Sequence, residues 1–482
     1  MVRFISLFAI LFAQGFPLKS YAENLYEALD IKSNFTLKVS EPIPTEYVFT
    51  EGANEPKFEA YGVAIFTVAD LDKDSCDDVI LSWADSLSPI QVFYGGSDGF
   101  LKRKNSFQSE KKVRTVRQFK FADLNQDGFL DIVGFTAPHG WKTQELGILW
   151  DADEPEFVAL SQGSRKYKIL DNVYETYSHT GLLGDVDNDG TTDIIQITEV
   201  PARGVELNLI QNSAVATSDS SAIKAEKYAI FDSKSDDING DGLIDTVFAI
   251  SKSYRKHPFV SPKDANKLGT IAIFFGAPDT PLKKIKPIIL GSHWMVGNVW
   301  DEFLSTKSAD EQKEAYAGTS NVELMDLDHD GDTDILIGYF VQAKSHWMTS
   351  GVQILKNEAG AFLDATSELM PHQPANRSIS RPTDLMYKAN LVDLNNDGAK
   401  DLVLALRALD SMTDSIYSSV FYLFKNGKYV PAKNDEILLG DTPKMQLIQT
   451  GDFNCDGKGD LVGLFRGIPD IENHYLKTLI AK

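Results

Sequence analysis

A nine-residue pattern, D-x-[DN]-x-D-[GS]-x-x-D, occurs seven times in this 482-residue chain, each time followed at once by a short apolar run. The copies read DLDKDSCDD, DLNQDGFLD, DVDNDGTTD, DINGDGLID, DLDHDGDTD, DLNNDGAKD and DFNCDGKGD. They start at Asp70, Asp123, Asp185, Asp237, Asp326, Asp393 and Asp452, which are 53, 62, 52, 89, 67 and 59 residues apart. A unit repeated at such intervals restricts the chain to a propeller or an array, because each unit must bury its apolar face against a neighbour.

Alternating oxygen side chains are what a hard cation such as Ca²⁺ requires. The candidate ligands are Asp70, Asp72, Asp74 and Asp78; Asp123, Asn125, Asp127 and Asp131; Asp185, Asp187, Asp189 and Asp193; Asp237, Asn239, Asp241 and Asp245; Asp326, Asp328, Asp330 and Asp334; Asp393, Asn395, Asp397 and Asp401; and Asp452, Asn454, Asp456 and Asp460. Up to seven ions are expected. Position 6 is Gly in six copies, as a turn with positive φ prefers; Ser75 is the exception. Position 2 is always apolar (Leu71, Leu124, Val186, Ile238, Leu327, Leu394 and Phe453), an anchor for the loop in a core. One such cluster could be a solvated Asp-Gly turn; seven with the same spacing and the same flanks point to a ligand site.

An EF-hand is excluded. That loop needs a bidentate Glu at position 12 between two helices. Here position 12 holds Leu81, Gly134, Gln196, Phe248, Ile337, Leu404 and Gly463, and the following runs (VILSW, IVGF, IIQI, TVFAI, ILIGY, LVLAL, LVGLF) are short, apolar and mostly β-branched. They read as buried strands. The loop therefore joins two strands, and the Asp at position 9 supplies the late ligand.

These motifs resemble the FG-GAP/VCBS repeats of the integrin α-subunit propeller and of many secreted bacterial proteins. The resemblance covers roughly residue 58 to the C-terminus. It implies an all-β chain, a seven-bladed β-propeller with one calcium loop per four-stranded blade. FYGGSDGF, LKNEAGAF and LFKNGKY then read as a third strand, a tight turn and a fourth strand. Only two strands, Leu461–Phe465 and His474–Ala481, follow the last motif, which leaves the final blade with three, so Phe35–Ser40 (FTLKVS), within an N-terminal segment 23–57, is expected to complete it and close the ring. Cys76 and Cys455 lie in the first and seventh loops, neighbours in such a ring; a disulfide that clasps the closure is one reading, and two free, partly buried thiols are the other. Insertions are expected at 251–268 and 291–319, the second with a short helix near 307–317.

The first 22 residues read as a secretory signal: Arg3, an apolar core over Phe4–Ala13, and Ser20-Tyr21-Ala22 as the cleavage site. No later apolar run is long enough to span a membrane. The expected compartment is extracellular or periplasmic, where weak calcium sites fill. A net charge of −22 argues against nucleic acid as a partner.

The face opposite the aspartate loops is the expected ligand face. Its loops carry Trp141, Arg203, Tyr254, Arg255, His257, His346, Trp347 and Arg407, and the second insertion adds Trp294 and Trp300. Aromatic faces with basic groups suit a glycan or an anionic ligand; solvated loops with packed aromatics are the plain alternative. No H-E-x-x-H, G-x-S-x-G or P-loop occurs. The leading expectation is a binding or adhesion module with a glycan or protein ligand. One alternative is a polysaccharide lyase, with Arg255, Lys344 or Arg407 neutralising a uronate and His257, His346 or Tyr254 near the proton transfer. The other is an envelope protein-interaction scaffold.

Overall fold

The computed structural model describes residues 27–28, 31–44, 64–83, 90–104, 116–136, 157–163, 165–170, 180–186, 190–200, 204–210, 223–225, 228–252, 270–278, 280, 284–290, 315–343, 346–371, 385–407, 417–433, 445–466 and 473–482. It is an all-β propeller. The helices among these residues are two four-residue turns, Ile31–Asn34 and Thr366–Leu369.

Each motif joins two antiparallel strands. The first ends just before the loop: Ala64–Ala69, Val116–Ala122, Gly181–Gly184, Tyr228–Asp236, Ala315–Met325, Leu385–Val392 and Met445–Gly451. The second begins at the position-9 aspartate: Asp78–Trp83, Asp131–Thr136, Asp193–Val200, Asp245–Lys252, Asp334–Ala343, Asp401–Arg407 and Asp460–Arg466. The apolar, β-branched composition of these second strands suits burial on both faces. Val79, Ile80 and Leu81 are fully buried, as are Ile335, Leu336 and Ile337 and Leu402, Val403 and Leu404.

Among the described residues the strands form seven sheets, one per motif, ordered first to fourth from the inside outwards, and in the sixth Glu27–Ala28 adds a fifth strand parallel to Lys428–Lys433. The first strand of each sheet packs beside the first strand of the next, and Met445–Gly451 packs beside Ala64–Ala69. The seventh sheet takes its outer strand from the N-terminal part of the chain. Phe35–Val39 pairs antiparallel with Lys477–Ala481, and Phe35 is buried in the core shared by the sixth and seventh sheets. All seven position-2 residues are buried, Leu327, Leu394 and Phe453 completely.

Neighbouring sheets are also latched by hydrogen bonds, each to the carbonyl of a position-2 residue. Tyr167 Oη donates to Leu71 at 2.9 Å, Asn357 Nδ2 to Ile238 at 2.6 Å, and Tyr429 Oη to Leu327 at 2.9 Å. Asn34 Nδ2 donates to Leu394 at 3.2 Å, and the Gly96 N–H to Phe453 at 3.0 Å. Each donor lies on, or directly beside, a third or fourth strand of the following sheet, so one loop residue holds its blade and the next. The seam between the seventh and first sheets has three more ties. The Asp77 N–H reaches the Asp452 carbonyl at 2.7 Å, the Asp452 N–H reaches Asp77 Oδ2 at 2.7 Å, and Cys76 and Cys455 form a disulfide with their Cα atoms 4.5 Å apart.

Two expectations are corrected. Residues 315–317, expected at the end of a helix, begin the eleven-residue strand Ala315–Met325, so the insertion ends earlier than 319. The reason is tertiary. A bulge between Thr319 and Asn321 lets this strand keep pairing with Tyr339–Ala343, far beyond the core of the sheet. Likewise the 251–268 insertion starts inside a strand, because Asp245–Lys252 runs to residue 252.

Two stability changes follow. Converting both Cys76 and Cys455 to Ser should cost about 2–4 kcal/mol, read as a lower denaturant midpoint that reductant does not change further. Tyr429→Phe leaves the buried Leu327 carbonyl without its donor and should cost about 1–3 kcal/mol; an unaltered unfolding curve would show that this latch is idle.

Candidate functional site

The aspartate loops share one hydrogen-bond scheme. The position-1 carboxylate accepts the N–H groups of positions 5 and 6: Asp70 from Asp74 and Ser75 at 3.1 and 3.0 Å, Asp123 from Asp127 and Gly128 at 2.9 and 2.7 Å, and Asp393 from Asp397 and Gly398 at 3.1 and 2.9 Å. Asp237, Asp326 and Asp452 do the same, and Asp185 accepts from Gly190. The position-5 carboxylate accepts the N–H of position 7, as in Asp127 from Phe129 and Asp241 from Leu243, both at 2.9 Å. Such a winding loop needs two left-handed residues. Position 6 is one, with φ between 69° and 98° in all seven copies, and Ser75 adopts it without being Gly. Position 4 is the other, at Lys73, Gln126, Gly240, His329, Asn396 and Cys455. That second requirement is invisible in a position where residue type varies so widely.

All seven position-9 aspartates are fully buried. One oxygen accepts the position-2 N–H, for example Asp78 from Leu71 at 2.9 Å and Asp401 from Leu394 at 2.8 Å. In six copies the other accepts an N–H at the end of the third strand: Gly95, Ser161, Gly276, Asn357, Phe424 and Ala481. This residue, expected from the sequence as a ligand, ties the loop to the third strand in the fold. Burial raises these carboxyls, Asp78 to about 8, Asp460 to about 7, and Asp334 and Asp401 to about 6. The backbone donors oppose the shift, and neighbouring loop aspartates add to it.

Oxygens of Asp70, Asp72 and Asp78 lie within 4.8 Å of one another, as do those of Asp326, Asp328 and Asp334. Asp72 Oδ1 and Asp328 Oδ1 are buried without a hydrogen-bond partner. Converging carboxylates with an orphaned oxygen fit a hard cation. In the second, fourth, sixth and seventh loops position 3 is Asn, and its Oδ1 accepts the position-5 N–H at 3.0–3.3 Å. Asp187 and Asp189 of the third loop lie outside the described residues, whereas Asp185 and Asp193 are in place. Asp74 lies beside Cys76 and Cys455, whose sulfurs the disulfide consumes.

Among the described residues Arg165 and Lys356 meet these clusters, and the sequence signals neither. Arg165, from the third-to-fourth-strand turn of the second sheet, pairs with Asp72 through Nε and with Asp74 through Nη2 at 3.0 Å. Its guanidinium lies 4.5 Å from the Tyr94 ring centroid. Lys356 Nζ is 2.5 Å from Asp328, 3.3 Å from Asp330 and 3.2 Å from Glu358.

The opposite face is placed only in part. Trp141, Arg203, Tyr254, Arg255, His257, Trp294, Trp300 and Lys344 lie outside the described residues. His346, Trp347 and Arg407, expected on loops, are strand residues. His346 and Trp347 start the third strand His346–Glu358, paired with Ala343 and Gln342, and Arg407 ends its strand opposite Leu385 and Tyr417. These hairpins are longer than the sheet is deep, which carries the ladder into the expected loops.

The propeller axis holds polar residues that the sequence reading left out. Bulges in five first strands, before Gln118, Asp232, Asn321, Lys388 and Leu447, alter the register there. The Gln118 amide donates to Asp232 at 3.0 Å and Asn321 donates to Asp232 at 2.7 Å. Lys234 pairs with Glu323 at 2.8 Å, and Lys120 donates to the Ser233 carbonyl at 3.0 Å. Burial lowers the Lys120 ammonium to about 7, with Lys234 adding to the shift.

No protein-family model matches the chain, and no curated protein does. Among solved structures it is similar to the polysaccharide lyase Uly1, at 11% identity over 95% of this chain and 99% of that one, with a TM-score of 0.45. It is also similar to a β-fructofuranosidase from Schwanniomyces occidentalis (8% identity, 94% and 96% covered, TM-score 0.34) and to an exo-β-1,3-galactanase from Clostridium thermocellum (9%, 92% and 100%, 0.28). Among the described residues no helix is long and apolar enough to cross a membrane.

The buried carboxyls set a pH dependence. Their folded values lie above the ordinary unfolded value near 4, so the folded chain holds these protons more tightly. Their contribution is fully present below about pH 4 and is lost as pH rises through 6 to 8. In chelator, the thermal midpoint should therefore fall between pH 5 and pH 8; a midpoint that rises over this range would contradict the burial argument.

Proposed function

We propose that the chain is a seven-bladed, calcium-stabilised β-propeller that works outside the cytoplasm as a binding module for a glycan or protein ligand. The observation that carries the calcium reading is the repeated loop. Backbone N–H groups preset its carboxylates, and one position-3 oxygen, Oδ1, of each of Asp72 and Asp328 is left buried and unpartnered. A hard cation would be held by positions 1, 3, 5 and 9 of each loop. Bound there, it would supply the positive charge that gathered carboxylates need.

The ligand reading rests on the other face, where His346, Trp347 and Arg407 stand at the far ends of the long hairpins. Aromatic and basic residues together suit sugar stacking and anionic groups. Cleavage of an acidic polysaccharide is the alternative outcome of the same test.

Sites of this class fill at about 10⁻⁴–10⁻³ M calcium, and each should add about 1 kcal/mol at millimolar calcium. The thermal midpoint should rise with calcium and fall with chelator, and Asp393→Ala should remove one bound ion. A midpoint indifferent to calcium would end the metal reading. A glycan array probed with and without calcium tests the ligand class; an empty array from folded protein moves the ligand to a protein partner, and release of unsaturated sugars makes the chain a lyase.

A further inference from the structure

We infer that Arg165 and Lys356 are counter-cations built into the first and fifth loops, each making a position-3 aspartate behave as the asparagine of the second, fourth, sixth and seventh loops and weakening calcium there. The inference rests on the calcium reading above and concerns how individual sites are tuned.

The loops with Asn at position 3 close one internal bond. The amide Nδ2 donates to Oδ2 of the position-5 aspartate, at 3.0 Å in Asn125–Asp127 and Asn239–Asp241, 2.8 Å in Asn395–Asp397 and 2.9 Å in Asn454–Asp456. An aspartate at position 3 has no N–H to give, and its Oδ2 would face the position-5 Oδ2 as two like charges. In the two described loops of this kind a basic group fills the gap. Arg165 donates to Oδ2 of both Asp72 and Asp74, and Lys356 to Oδ2 of both Asp328 and Asp330. The bridged atoms are the pair that the asparagine joins directly. In both cases Oδ1 of the position-3 aspartate stays without a partner, as an ion ligand would.

Charge tells the same story. At positions 1, 3, 5 and 9 alone, four carboxylates and one cation carry a net −3, as do three carboxylates and an amide, although Asp77 and Asp332 add a fifth carboxylate to the first and fifth loops. The basic residues come from the third strand of the same sheet (Lys356) or from the outer turn of the next (Arg165), so two solutions were found for one electrostatic problem. Glu358 also touches Lys356 and makes the fifth loop the more acidic of the two.

Arg165 and Lys356 are positioning residues that act through the ligands. Removing either leaves the position-1 and position-9 carboxylates held by backbone donors, so the lost positive charge outweighs the lost orientation. Calcium at that loop should bind about tenfold more tightly, while the chain in chelator loses stability.

The test uses the full chain, native mass spectrometry to count ions, and thermal melts against free calcium. Arg165→Met should keep the wild-type ion count, lower the midpoint in chelator and shift the calcium response to lower concentration. Adding Asp72→Asn should restore both, because the amide remakes the bond to Asp74. Lys356→Met with Asp328→Asn gives an independent second pair should the first fail to fold. An extra ion on Arg165→Met would mean that the guanidinium stands in for the metal, which overturns the inference. So would a loss of stability that Asp72→Asn fails to restore, the signature of lost packing on Tyr94. No ion on the wild-type chain would defeat the calcium reading itself, and the wild-type count separates that failure from a failure of the clamp.

Discussion

The fold depends on a buried carboxylate placed where a loop, its own strand and a third strand meet. The position-9 aspartate starts the second strand of each sheet and is fully buried. A buried carboxyl is costly unless its oxygens are satisfied. Here one oxygen holds the N–H of the position-2 anchor and the other, in six sheets, the end of the third strand. The anchor can then sit in the core, and its carbonyl faces the next sheet, where Tyr167, Asn357, Tyr429, Asn34 or Gly96 latches onto it. One nine-residue loop thus fixes the hairpin, the blade edge and the blade neighbour.

Closure follows from the same units. A ring of sheets has one seam, and here it lies between the seventh and first sheets. Phe35–Val39 completes the seventh sheet, while the Asp77–Asp452 bonds and the Cys76–Cys455 disulfide fasten the loops across the seam. The latch from Asn34 to Leu394 continues this outer strand's contact onto the sixth sheet. The third strand of the seventh sheet, Asn473–Ala481, is thereby paired on both sides, so the edge it would otherwise leave open at the seam moves out to Phe35–Val39.

The aspartate loops and the axis divide polar work differently. Each loop presents carboxylates held by backbone N–H groups, so its shape is set before any cation arrives and each proposed ion would meet a prepared site. At the axis side chains partner one another: Asp232 takes amides from Gln118 and Asn321, and Glu323 takes Lys234 and Lys388. Lys120, with a carbonyl at 3.0 Å as its hydrogen-bond acceptor, is left with a lowered affinity for its proton.

The sequence by itself determined the repeat, the strands either side of each loop, the buried anchors and the positions of the clustered aspartates, because all of these are local: carboxylate spacing, a turn at position 6 and runs of β-branched residues. It also carried FTLKVS and the two loop cysteines, whose meeting depends on the ring but whose residue types were already suggestive. Tertiary structure alone decided the rest. Arg165 reaches a loop 91 residues away in sequence, and Tyr429 a carbonyl 102 residues away, so neither leaves a local pattern. The axial residues depend on bulges, which a period of two does not reveal. Residues 315–317, His346, Trp347 and Arg407 became strand because hairpin pairing outran the apolar core, and pairing to a partner strand overrides local turn and helix preference.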